Sequence, residues 1–113
     1  MEYNENEELF SEFHVMSYNI QSLGKPRNNF ANLEAFRTYM KRQSHQPHII
    51  CLQETFLDSQ HLDKSVEIKH YKLFRCDDNS NRAGIITYAR NDVKSTLILS
   101  NSDLQLLIVQ VTI

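Results

Sequence analysis

Pro47-His48-Ile49-Ile50-Cys51-Leu52-Gln53-Glu54-Thr55-Phe56-Leu57 is the stretch whose reading decides the fold. Ile49 to Leu52 run without a polar break behind a proline and lead into Gln53-Glu54-Thr55. That is how a short strand buried on both faces reads when its C-terminal end emerges polar. Ligands of open α/β sheets bind beyond the carboxyl ends of strands, so Glu54 stands where a site is expected. A single Glu at a strand end more often just begins a loop. A second segment is needed to change that reading.

Upstream, Phe13 to Ile20 alternates in a β-branched and aromatic context and leads into the polar loop Gln21-Ser22-Leu23-Gly24-Lys25-Pro26. Asn19 thus falls at a strand end, where an Asn is by itself a turn-former. Asn28 to Ser44 predicts a helix: Phe30, Leu33, Phe36 and Met40 recur at helical spacing, and Asn28 or Asn29 can cap its start. Lys41 and Arg42 suit the dipole in its last turn, and Pro47 forces the chain out before the central strand. Strand, helix and buried strand form a βαβ-like unit, for which parallel pairing is the default.

Downstream, residues 58–69 have no clean period and read as a loop pinned by Leu62, Val66 and Ile68. His70 to Cys76 and Gly84 to Ala89 read as an antiparallel hairpin across the turn residues Asp77 to Asn81. Lys94 to Leu99 and Leu104 to Ile113 read as a second hairpin. Leu106-Leu107-Ile108-Val109 is apolar on both faces and reads as an interior strand that expects a neighbour. The predicted core contains Val15, Leu33, Phe36, Ile50, Leu52, Ile86 and Val109.

Composition bounds the class. The 113 residues have room for one domain and bury roughly two-thirds of their unfolded surface. A hydrophobic content of 41% with 23% charged residues is that of a globular protein, not a collagenous, coiled-coil or disordered one. No apolar run is long enough to span a bilayer as a helix, and residues 1–8 lack the basic start and apolar centre of a signal. Two cysteines without framework spacing, Cys51 and Cys76, fit a reducing compartment, so an intracellular location, nucleus or cytoplasm, is expected. Residues 1–12 hold five of the 14 acidic groups and no Lys or Arg, and read as an acidic flexible tail. Against the remaining nine acids, the 12 basic groups make residues 13–113 mildly basic, which permits contact with phosphate without establishing it.

Ser17-Tyr18-Asn19-Ile20, the Pro47 to Thr55 block, Tyr71-Lys72-Leu73-Phe74-Arg75 and Gly84 to Arg90, in this order, resemble the N-terminal half of the endonuclease/exonuclease/phosphatase superfamily. The likeness is greatest to the apurinic-type endonuclease domain of LINE-type (non-LTR) retrotransposons, with Arg90-Asn91-Asp92 after the hairpin. The resemblance implies an α/β fold, a mixed β-sheet with a flanking helix, half of a DNase I-like two-sheet sandwich. It implies a Mg²⁺-dependent phosphodiesterase, with Mn²⁺ as a substitute, that acts on DNA. Phosphoinositides and other phosphoesters are alternative substrates within the superfamily. Glu54 maps onto the family's metal ligand, and Asn19 onto the Asn that orients phosphate, metal shell or attacking group. One carboxylate is adequate for Mg²⁺, which keeps several waters.

Departures from the family pattern set limits. Gln21 stands where the apurinic branch often has Asp, and His48 replaces an Asp after the Pro at the expected cost of a local hydrogen bond. Arg82-Ala83-Gly84 replaces a run of glycines; Arg82 is a candidate nucleic-acid contact beside its plainer reading as a solvated loop Arg. His45, His48 and Cys51 lack a fourth ligand for zinc, and a strand turns successive residues to opposite faces. The family's later Gly-Asp-x-Asn and Ser-Asp-His segments have no counterpart before Ile113. Residues 13–113 are therefore expected to be a partial domain, inactive alone, and the alternative is a non-catalytic remnant or interaction module that associates along a sheet edge.

Overall fold

The structure is a computed structural model and describes residues 12–23, 30–78 and 83–112. Its core is a four-stranded mixed sheet in the order β1-β2-β4-β3, made of β1 (Val15–Asn19), β2 (Ile49–Gln53), β3 (Tyr71–Cys76) and β4 (Ile85–Arg90). β1 and β2 pair in parallel, with Val15 opposite Ile49 and Asn19 opposite Gln53. β4 pairs antiparallel with β2 and β3. The crossover between β1 and β2 is α1 (Ala31–Lys41), which buries Leu33, Phe36 and Met40 along one stripe.

The pleat of β2 divides its side chains between two layers. Ile50 and Leu52 join Ile86 and Tyr88 of β4 under α1, while Ile49, Phe74 and Ala89 form a second cluster on the far face. That far face is covered by an antiparallel hairpin of β5 (Lys94–Asn101) and β6 (Leu106–Thr112), whose Leu107, Val109 and Val111 pack on it. The result is helix, mixed sheet and second sheet in three layers. Each large aliphatic side chain so buried contributes about 1.5–3 kcal/mol. Two buried phenols tie the irregular segments down: the Tyr71 hydroxyl donates to the Pro47 carbonyl and that of Tyr88 to the Val66 carbonyl, both at 2.6 Å. Burial pushes Tyr71 up to about 12 and raises Tyr88 as well.

Leu33, Phe36, Ile50, Leu52 and Ile86 lie in the core as read from the sequence. Val15 does not: it sits on the edge strand β1 and is 59% exposed. Val109 is half-buried, because β6 faces the main sheet with alternate residues only. For the same reason β6 is not an interior strand among the described residues. It pairs with β5 alone and leaves Leu106 and Ile108 on an outer face with Leu99 of β5, which stands opposite Ile108. The helix begins at Ala31, behind a left-handed Phe30 without a side-chain cap. The proposed caps Asn28 and Asn29 lie outside the described residues. No helix among the described residues is long and apolar enough to cross a membrane.

Candidate metal and phosphate site

Parallel pairing levels the carboxyl ends of β1 and β2, so Asn19 closes one strand and Glu54 follows the other. The Asn19 side-chain amide donates to a Glu54 carboxylate oxygen. Its own oxygen accepts from the Gln21 backbone N–H at 3.1 Å. Asn19 is thus a turn-former and a partner of Glu54 at once, one role for each end of the amide.

The local backbone is strained. Glu54 has φ 55°, Phe56 58°, Gln21 51° and Ser22 80°, four non-glycine residues in the left-handed region within two short segments. Such conformations persist only when the surroundings over-determine them. Here a ladder of main-chain bonds does so. Ser22 N–H donates to the Glu54 carbonyl at 2.6 Å and Leu23 N–H to the Thr55 carbonyl at 3.2 Å. On the other side, Thr55 and Phe56 N–H donate to Gly84 and Ala83 at 3.2 and 2.8 Å.

Behind Glu54 sits a packed support that sequence reasoning missed. Thr55 is 1% exposed, and its hydroxyl has no hydrogen-bond partner among the described residues. It lies where a Cβ on Gly84 would come within 2.6 Å, and Gly84 holds φ +102°. Gly84 N–H in turn donates to the Gln105 side-chain oxygen at 2.6 Å, and Gln105 donates to the Ser102 carbonyl at 2.8 Å. The turn between β5 and β6 therefore buttresses the acid from the opposite sheet. No periodicity marks these residues, and only the lone glycine before an apolar run hinted at a close approach.

The donors fit a hard cation in part. Glu54 supplies carboxylate oxygens of the type Mg²⁺ takes while keeping water, whereas Asn19 turns its NH₂ to that carboxylate and its oxygen to the Gln21 N–H. Among the described residues, no three His, Cys, Asp or Glu side chains converge in a metal-holding group, which also disposes of the zinc combination of His45, His48 and Cys51. No histidine among the described residues hydrogen-bonds to Asn19 or Glu54; His14 and His48 meet each other at the far end of β1 and β2. Nδ1 of His48 accepts the His14 backbone N–H at 3.0 Å, and the His48 ring stacks on Phe13, so the imidazole makes a local hydrogen bond of its own at this position. Arg82 lies outside the described residues.

A sequence model of the endonuclease/exonuclease/phosphatase family matches residues 16–107, which hold β2 to β5 whole, β1 but for its first residue, and the first two of the seven residues of β6. The chain belongs to the endonuclease/exonuclease/phosphatase family. Among solved structures, the catalytic domain of Xenopus laevis APE2 is similar in fold, with a TM-score of 0.51 and 19% identity. That likeness covers 74% of this chain and 26% of the APE2 chain, so the protein spans about a quarter of the length of that relative. Among curated proteins, no relative matches. As an endonuclease/exonuclease/phosphatase family chain with a DNase I-like fold, it presents Asn19 and Glu54 at the carboxyl ends of its two parallel strands.

Proposed function

We propose that the Asn19–Glu54 end of the sheet is part of a Mg²⁺-dependent phosphodiester-hydrolysing site, that of a DNA endonuclease of the retrotransposon (LINE) branch. The observation that carries this reading is the direct bond between the Asn19 amide and the Glu54 carboxylate at two level strand ends. Glu54 would hold the ion, which supplies stabilisation of the charge that grows on phosphate oxygens and a more acidic water. Asn19 fixes the rotamer of the acid without adding charge, and its amide is a neutral donor for a phosphate oxygen. The clamped backbone of residues 54–56 keeps both groups in place without reorganisation, the condition under which electrostatic stabilisation is effective.

A second reading has an observation of its own. General acid-base help is typically worth about 10²- to 10⁴-fold, and the described site joins Asn19 and Glu54 to no histidine. The 113-residue chain would then bind metal and phosphate without turnover and serve as an interaction module. Manganese titration followed by NMR tests the shared premise of both readings. Paramagnetic broadening of the Asn19 side-chain amide that disappears in Glu54→Gln supports the site. Absence of broadening at millimolar Mn²⁺ removes it.

A further inference from the structure

At the other end of the sheet, a cleft of about 1390 Å³ opens between the last turns of α1, the segment before β2 and residues 64–71. It is separated from Glu54 by the length of β2, about 17 Å for five residues. Arg37, Lys41, Lys64, Lys69 and Arg90 line it, against the carboxylates of Glu12 and Glu67.

These cations divide into two kinds. Arg37 is spent on structure: it pairs with Glu34 and donates to the Glu67 carbonyl at 2.6 Å. Arg90 is held by Asp92 at 2.6 Å and by the Gln46 carbonyl. Lys41, Lys64 and Lys69 are exposed and make no ion pair among the described residues. Lys41 stands on the helix and the other two on the 64–71 segment. Exposed imidazoles of His45 and His70 lie on the same rim, above a floor formed by buried Met40 and Ile68.

We infer that this cleft binds a single strand of nucleic acid, its phosphates along the three lysines and its bases against the two imidazoles. Unpaired cations beside flat aromatic rings are the combination that holds single strands, since every base offers a face for stacking. An acidic peptide would use the lysines but has no need of the rings. The inference stands on residues remote from Asn19 and Glu54 and does not depend on their role.

Fluorescence anisotropy with a labelled oligothymidylate, without divalent metal, tests it on the full chain. Lys41→Ala/Lys64→Ala/Lys69→Ala should weaken binding about tenfold or more at low salt. It should also flatten the dependence of log K on log salt by about 2, at about 0.7 per lost phosphate contact. His45→Ala/His70→Ala should weaken binding with no change in that slope. Glu54→Gln should bind the oligonucleotide as the wild type does, so that failure of the metal site and failure of the cleft are told apart. The lysines are exposed, and an unchanged thermal melt confirms that the variants fold. Wild-type affinity and slope in the triple variant would overturn the inference, as would polyglutamate that competes equally well, with no effect of the histidine substitutions.

Discussion

Gly84 and Thr55 are in contact so close that a single methyl group on the glycine would lie 2.6 Å from the threonine hydroxyl. The contact joins the strand that delivers Glu54 to the start of β4, and it is fixed further by the bond from Thr55 N–H to the Gly84 carbonyl. Gly84→Ala must strain φ +102° and displace a fully buried side chain. We expect a loss of about 2–4 kcal/mol in urea unfolding. Thr55→Val replaces an unpartnered buried hydroxyl by a methyl of the same shape and should be neutral or stabilising.

Glu54 combines a left-handed backbone with a partly exposed acid, a cost that structure alone does not require. Glu54→Gly relieves the backbone and should be as stable as the wild type or more so, by about 0.5–1 kcal/mol. Its manganese response at Asn19 should vanish. A stable glycine variant that still broadens would detach the metal from this acid.

Nicking of supercoiled plasmid in Mg²⁺ separates the two functional readings. The 113-residue chain should show no nicking above background. Nicking that disappears in Glu54→Gln would show that the chain has its own means of activating water.

His48 is held below its ordinary value of about 6.5, first by burial and then by Arg90, with His14 adding to the effect and Asp92 opposing it. Because the folded value is depressed, the unfolded chain takes up the proton first as pH falls. Stability is therefore full above about 6.5 and is lost as pH drops toward the folded value, when Nδ1 can no longer accept the His14 N–H. Asp92 adds to the loss at lower pH, since its bond with Arg90 holds its carboxyl below the usual range. His48→Asp supplies an acceptor that stays unprotonated, and its Tm should fall less between pH 7 and 5 than that of the wild type.

Arg75 is the most heavily bonded side chain of the described fold. It donates to Asp63 and Asp77 at 2.9 and 2.6 Å and to the His61 and Asp58 carbonyls at 2.6 and 3.0 Å. The side chain is only 12% exposed. Arg75→Leu should cost about 2–4 kcal/mol, since it strands a partly buried carboxylate and the His61 carbonyl, while the Asp58 carbonyl keeps the His61 N–H. Arg75→Lys should recover less than half, because one ammonium cannot reach all four acceptors.

What the sequence made legible is what has a period or a run. The apolar block 49–52, the helical spacing of Leu33, Phe36 and Met40, and the alternation at 71–76 each recur in the structure as an element. The pattern put Asn19 and Glu54 at strand ends, only the family resemblance gave them a role there, and parallel pairing brings them together. Val15 misled, since alternation marks a strand without telling an edge from a centre. Apolarity on both faces of β6 misled in the same way, as the outer face meets no layer among the described residues. The support of Glu54 and the lysine-lined cleft were invisible, because each is assembled from segments far apart whose residues have no common spacing.

Asn19 and Glu54 are 35 positions apart in the chain, and the whole crossover lies between them. The local bond from the Gln21 N–H to Asn19 orients the amide but cannot bring in the acid, so the loop must close, at a cost that grows with its length, before the two meet. Formation of the pair is thus coupled to closure of the crossover through α1. A proteolytic cut between α1 and β2 would spare every atom of the pair and still uncouple it, which makes limited digestion a more sensitive reporter of competence than any spectroscopic measure of strand content.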